Sequence, residues 1–262
     1  MNKKLEHFKD KGFVVFNNYL DLKSCNNLLI DLENTINQIG SSATPPMGEQ
    51  NIIQNDKIVN NIHYFSESFL NAATKGEHID FLCMILNDPF YELIPNNLPN
   101  YLLAQCNVRK SDSALPYHFD TRLKIPSKQT WSVQGIIALG DRGHKNGGLK
   151  VIPKSHLFPF QHRDELDLKN EINIDMEAGD LVLFSSSLYH ATHEPTGEVE
   201  TAFGITLTYR CWWCKPQFNF IDMFGLERLS KLNKQQRTLL GAYSQPSSNP
   251  FDSPSSRSGY TL

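Results

Sequence analysis

The sequence predicts a mainly β protein, a sandwich or jelly-roll barrel with helices packed outside it. From Tyr101 onward the chain is a series of short apolar runs separated by turns, which is typical of such β folds. Residues 1–100 instead show helical periodicity and few turn signals. A length of 262 residues suffices for one domain with a sizeable core.

The first 100 residues supply outer helices rather than chemistry. Residues 12–16 predict a strand, and residues 22–39 predict a helix. That helix has one apolar face, formed by Cys25, Leu28, Leu29, Leu32 and Ile36. A polar loop is predicted over residues 40–46 and another helix over residues 79–86, followed after residues 87–89 by a further helix to Ile94.

The second half supplies the strands and turns of the β core. Strands are predicted over residues 101–109, 117–120, 131–139, 149–152, 181–184 and 202–209. Turns are predicted at residues 141–148 and 177–180. Residues 162–171 are predicted to form a charged, solvent-exposed insertion.

Charge and cysteine usage exclude several classes of function. A net charge of -3 with no basic run gives no electrostatic case for nucleic acid or an anionic membrane surface. The N-terminus lacks a secretory apolar stretch, and no apolar run is long enough to span a membrane. We therefore expect a cytoplasmic protein without nucleic-acid or membrane partners. The five cysteines favour reduced thiols, including Cys211 and Cys214 beside two tryptophans.

Three side chains form a candidate metal site. On a strand, alternate side chains share a face, so His118 and Asp120 point the same way. His190 ends the segment that begins at Gly179, and a barrel can bring it beside the pair. Two histidines and one carboxylate are a ligand set for non-haem Fe(II).

These segments resemble phytanoyl-CoA dioxygenase (PhyH)-like Fe(II)/2-oxoglutarate oxygenases. The resemblance rests on residues 8–16, 118–120, 146–156, 179–190 and 235–241. It implies a double-stranded β-helix (jelly roll, cupin-like) that binds Fe(II) through His118, Asp120 and His190, together with 2-oxoglutarate and O2. It also implies a single domain over residues 1–244, with outer helices in 1–100, the barrel in 101–215 and a Ser/Pro-rich tail in 245–262.

The chain departs from the family where an arginine would bind the distal carboxylate of 2-oxoglutarate. Counting from His190 leads to Thr201 at that position. A buried carboxylate still needs a cation or several donors. Arg210 is the first candidate to supply the charge, and the others are Arg122, Lys124 and Lys150.

Further polar residues are candidates for the pocket lining. Gln105, Asn107 and Arg109 alternate on one face of a strand, so they either face the substrate or form a polar outer face. Gln134 either contacts 2-oxoglutarate or is solvated. His193 and His156 are expected outside the metal site.

The sequence thus predicts an oxygenase that oxidises a C–H bond of a small molecule and releases succinate and CO2. Hydroxylation is the expected reaction. Asp120 argues against the halogenase variant of the family, in which a small residue replaces this carboxylate. Two alternatives stay open: a cupin-like metal enzyme without 2-oxoglutarate, and a non-catalytic binding relative. The substrate and the oligomeric state stay undefined.

Overall fold

A computed structural model describes residues 1–39, 57–91, 94–95, 97–110, 113–121 and 123–245 of the chain. The helices are α1 (Asn2–Lys11), α2 (Leu22–Ile39), α3 (Glu67–Thr74), α4 (Glu77–Leu86), α5 (Phe220–Lys231) and α6 (Lys234–Leu239). The strands are β1 (Phe13–Phe16), β2 (Lys57–Val59), β3 (Tyr101–Lys110), β4 (Ser132–Ala138), β5 (Leu149–Val151), β6 (Ile172–Ile174), β7 (Leu181–Ser185), β8 (His190–Thr192) and β9 (Gly204–Cys211).

The strands form two antiparallel sheets. The larger has the order β1-β7-β4-β9-β3-β2, and the smaller has the order β6-β5-β8. The predicted fold class, mainly β with flanking helices, is confirmed. Within the described residues, no helix combines the length and the apolar character needed to cross a bilayer.

The larger sheet buries its outer face against the N-terminal helices. Phe8 of α1 and Phe16 of β1 both pack edge-on against Phe81 of α4. Tyr101 and Tyr209 lie in the same core. A second apolar cluster, including Val151, Val182 and Phe184, joins the two sheets. The face of the larger sheet that is turned toward the smaller sheet also carries polar side chains outside this second cluster. The cavity lies there.

The prediction of a strand over residues 117–120 is wrong. His118 forms only an isolated bridge to His190, and no ladder extends from it. Pro116 has no N–H to donate, and the N–H groups of Asp120 and Thr121 both donate to the Ser186 carbonyl. The segment therefore turns away from the sheet directly after the bridge.

The other predicted strands and helices are present, α2 with the predicted bounds and the rest with ends shifted by one or two residues. β9 begins at Gly204 rather than at residue 202, and α4 begins at Glu77. No helix continues to Ile94 in the described residues, since Pro89 and Phe90 form a turn. The predicted loop at 40–46, Arg122 and residues 246–262 of the tail lie outside the described residues.

Candidate metal centre and cavity

Three side chains from two separate parts of the chain converge in the lining of a cavity. The Nε2 atoms of His118 and His190 lie 3.7 Å and 3.6 Å from the two carboxylate oxygens of Asp120. All three ligand atoms lie within 4.8 Å of one another, so the group can hold a metal ion.

Backbone hydrogen bonds produce this convergence. The His118 N–H donates to the His190 carbonyl at 3.0 Å, and the reverse bond is 2.9 Å long. The Asp120 N–H donates to the Ser186 carbonyl at 2.8 Å, close to the start of β8. The segment carrying Asp120 is therefore fastened to the segment that carries His190.

The imidazole rings are oriented for metal binding. Nδ1 of His118 lies 2.8 Å from the Pro116 carbonyl, and Nδ1 of His190 lies 3.1 Å from the Leu188 carbonyl. A carbonyl only accepts, so Nδ1 carries the proton in each ring and Nε2 presents its lone pair. Burial lowers the pKa of His190, an effect that Asp120 partly offsets. The donor set fits Fe(II).

A cavity of about 360 Å³ lies between the two sheets and includes the metal ligands. The predicted pocket residues Gln105, Asn107, Arg109 and Gln134 all line it, which places them on the inner face. Gln134 accepts a hydrogen bond from the Thr208 hydroxyl at 2.7 Å. Other lining residues come from both sheets and their loops, among them Leu149, Phe184, Thr192, Gly204 and Thr206.

Arg142, which was not among the residues predicted from the sequence, also lines the cavity. Its guanidinium donates to the carbonyls of Ala202 at 2.9 Å and Gly147 at 3.0 Å. A Cβ atom on Gly204 would lie 3.1 Å from Arg142 Nη1, so the absence of a side chain there admits the guanidinium. Burial and the nearby Arg109 lower the pKa of Arg142. In the sequence, Arg142 stands in an ordinary turn, and no local signal separates it from a surface arginine.

The two residues first considered for the distal carboxylate do not line the cavity. Thr201 is buried before the start of β9. Arg210 shares the face of β9 that carries Thr206 and Thr208, but it lies farther along the strand than the cavity extends.

The two lysines considered for that role are also directed elsewhere. Lys124 donates to the carbonyls of Ser155 at 2.8 Å and Ser187 at 2.6 Å. Lys150 points away from the cavity side of β5, to within 3.4 Å of the Glu171 carboxylate.

Two further histidines lie outside the metal group. His193 contacts the Asn173 side chain at 2.8 Å, and His156 contacts the Lys9 carbonyl at 3.1 Å. Cys211 and Cys214 are free thiols.

Comparisons with known proteins agree with this geometry. The family profile described as Phytanoyl-CoA dioxygenase (PhyH) matches residues 8–199. Dioxygenase sphC of Aspergillus fumigatus is 24% identical over 255 residues, which cover 92% of this chain and 67% of that protein.

Two solved structures share the fold. HygX from Streptomyces hygroscopicus, with nickel and 2-oxoglutarate bound, has a TM-score of 0.63 and 15% identity, over 86% of this chain and 94% of that one. The epimerase SnoN, in complex with Fe3+, alpha ketoglutarate and nogalamycin RO, has a TM-score of 0.61 and 14% identity, over 84% and 88%. On the family match, which spans most of the described sequence, the chain belongs to the phytanoyl-CoA dioxygenase (PhyH) family of Fe(II)- and 2-oxoglutarate-dependent oxygenases.

Proposed function

We propose that the protein hydroxylates a C–H bond of a small molecule, with oxidation of 2-oxoglutarate to succinate and CO2. The observation that carries this proposal is the convergence of two imidazole nitrogens and one carboxylate in the lining of a cavity of about 360 Å³. When bound there, iron supplies the oxygen activation that no protein side chain can perform.

His118, Asp120 and His190 would hold the metal from one side. Three protein ligands leave the remaining coordination positions open toward the cavity, where 2-oxoglutarate and O2 bind in this type of site. The Pro116 and Leu188 carbonyls keep Nε2 of each histidine available, and they resist rotation of the rings.

Arg142 would bind the distal carboxylate of 2-oxoglutarate. Its guanidinium occupies the space over Gly204, at the start of β9 and close in sequence to Thr201, the position at which the family's arginine is expected. A cation from the β4–β5 connection would thus replace the missing arginine. Two backbone carbonyls fix the guanidinium, so little side-chain entropy is lost on binding. Arg142 thus replaces Arg210 as the proposed partner of this carboxylate, in a chain that has Thr201 at the position of the family's arginine.

Polar side chains would orient the co-substrate and the substrate. Gln134 and its hydrogen-bond partner Thr208 face the cavity beside the metal ligands and are proposed contacts of 2-oxoglutarate. Gln105, Asn107 and Arg109 on β3 are proposed contacts of the substrate. Their role is to hold one C–H bond at the iron, since positioning is the part of this chemistry that the protein controls.

An anaerobic titration tests the proposal. The apo-protein receives Fe(II) and then 2-oxoglutarate, and the weak visible charge-transfer band of the chelate is followed. The band should saturate in the wild type, vanish in His190→Ala and require about tenfold or more 2-oxoglutarate in Arg142→Gln, because a charge-assisted pair is lost. Arg210→Gln is the matched control and should behave as the wild type.

Other results would redirect the assignment. Iron binding without a band at any 2-oxoglutarate concentration would favour a cupin-like metal enzyme that does not use this co-substrate. Absence of iron binding would favour a non-catalytic relative. Loss of affinity in Arg210→Gln but not in Arg142→Gln would return the anchoring role to Arg210.

A further inference from the structure

A buried cation, the side chain of Lys124, lies behind the metal ligands. The rings of Phe119 and Tyr189 adjoin these ligands in sequence, and neither ring is among the described residues that line the cavity. The two rings meet edge to face, with their centroids 5.3 Å apart. The Lys124 ammonium lies 5.3 Å from the Phe119 centroid and 4.6 Å from the Tyr189 centroid, so it contacts both rings.

The same ammonium donates to two backbone carbonyls. One belongs to Ser187, in the connection from β7 to β8 that leads to His190, at 2.6 Å. The other belongs to Ser155, after β5, at 2.8 Å. The Ser155 hydroxyl in turn accepts the Tyr189 N–H at 2.8 Å. These contacts hold the residues that precede His190 from two directions.

The ammonium also fastens the segment that carries Asp120. Lys124 lies four residues after Asp120, whose N–H donates to the Ser186 carbonyl at 2.8 Å. With the bond from Lys124 to the neighbouring Ser187 carbonyl, residues 120–124 are attached at both ends to the β7–β8 connection. The contact with Phe119 extends this attachment to the position between the two ligands of the segment.

These contacts are directional, and simple packing would not reproduce them. None of the ion pairs among the described residues includes Lys124, so its partners are the two carbonyls and the two rings. An apolar side chain would fill the same space but would leave the two segments able to shift against each other. A metal centre is sensitive to such shifts, because its affinity depends on the partners that orient the ligands.

We propose that Lys124 is a positioning residue of the metal centre, whose ammonium fixes residues 118–120 against the segment that ends at His190. Lys124 touches neither the metal nor the substrate, and it acts through Phe119 and through the β7–β8 connection. This inference rests on the metal centre of the proposed oxygenase. It adds a role in metal binding to contacts that also stabilise the fold.

The test measures metal binding by the full-length apo-protein at pH 7. Lys124→Met keeps an unbranched apolar side chain and removes the charge and the donors. Fe(II) affinity is measured by anaerobic calorimetry, and Co(II) is bound in parallel because its visible absorption depends on coordination geometry. In folded Lys124→Met, Fe(II) should bind about tenfold or more weakly than in the wild type, and the Co(II) spectrum should change.

Three further variants separate positioning from loss of stability. Lys124→Arg keeps a cation with donors and should bind Fe(II) more tightly than Lys124→Met. His78→Gln removes a buried imidazole of α4, which is not one of the metal ligands, and should keep the wild-type affinity and Co(II) spectrum. Phe119→Leu removes one ring contact, leaves both carbonyl bonds and should weaken Fe(II) binding several-fold, which tests the same connection if Lys124→Met does not fold.

Wild-type Fe(II) affinity and an unchanged Co(II) spectrum in folded Lys124→Met would overturn the inference. An equal loss of affinity in His78→Gln would also overturn it, because the effect would then follow from destabilisation alone. If Lys124→Met does not fold, wild-type affinity in Phe119→Leu has the same meaning. Failure of the wild type itself to bind Fe(II) would instead refute the proposed function.

Discussion

Acidification should destabilise the protein through His78, a buried imidazole remote from the metal ligands. His78 lies on α4 with no exposed surface, between the hydroxyls of Tyr19 at 3.0 Å and Tyr209 at 2.9 Å. The Tyr209 hydroxyl donates to the Ala73 carbonyl at 2.7 Å, so Nε2 of His78 is the donor to Tyr209. Burial lowers the pKa of His78 to about 4.

The sign of the effect follows from this lowered pKa. The unfolded chain takes up the proton near pH 6.5 and the folded chain only near pH 4, so acid favours unfolding. The stability that depends on an uncharged His78 is fully present above about pH 6.5 and is lost as the pH falls toward 4. Over that interval the free energy of unfolding falls by about 3 kcal/mol, of which about 2 kcal/mol is lost by pH 5. His63, which is also buried with a pKa of about 4, contributes a similar amount.

Urea unfolding at pH 7, 6 and 5 measures the effect. His78→Gln should unfold more easily than the wild type at pH 7, because a buried hydrogen-bonded ring is lost. Its free energy of unfolding should then fall by about 2 kcal/mol less than that of the wild type between pH 7 and 5. His144→Gln, which removes an exposed imidazole, should leave the pH dependence unchanged. Parallel pH profiles for wild type and His78→Gln would refute the reasoning.

Two further substitutions probe the site and its support. Gly204→Ala places a methyl group 3.1 Å from Arg142 Nη1, so the variant should bind 2-oxoglutarate several-fold more weakly while binding iron normally in the same anaerobic titration. An unchanged affinity would show that the guanidinium over Gly204 is not the anchor. Lys124→Met leaves the carbonyl of Ser187 without its lysine donor and leaves the Ser155 carbonyl with the Phe158 N–H alone, and it should lower the free energy of unfolding by about 2 kcal/mol. A loss below about 0.5 kcal/mol in urea unfolding would contradict this structural role.

Local sequence was sufficient to predict the candidate metal ligands. The spacing of His118 and Asp120, and the position of His190 after a Gly-Asp turn and an apolar strand, were recognisable without knowledge of long-range contacts. The structure brings these three side chains together. It does so through a single backbone bridge between His118 and His190 rather than through the strand expected at residues 117–120. The strand does not form because the N–H groups of Asp120 and Thr121 donate to the Ser186 carbonyl.

The alternation of β3 illustrates what pattern alone leaves undecided. Gln105, Asn107 and Arg109 share one face in any strand, but the face could have been inner or outer. The pairing of β3 with β9 and β2 decides it, since it places these side chains over the cavity and the alternate residues Cys106 and Val108 in the core.

The sequence by itself determined the fold class, the family and the candidate iron ligands, because these depend on local periodicity and on motifs with fixed spacing. Only the tertiary structure decided which cation faces the cavity. Arg142 lies in the β4–β5 connection, where it forms an isolated bridge with Met176, and its guanidinium lies over Gly204 at the start of β9, whereas Arg210 lies on β9 beyond the cavity. Proximity of this kind depends on sheet order and on the space left by a missing side chain, and neither is encoded in the residues around Arg142.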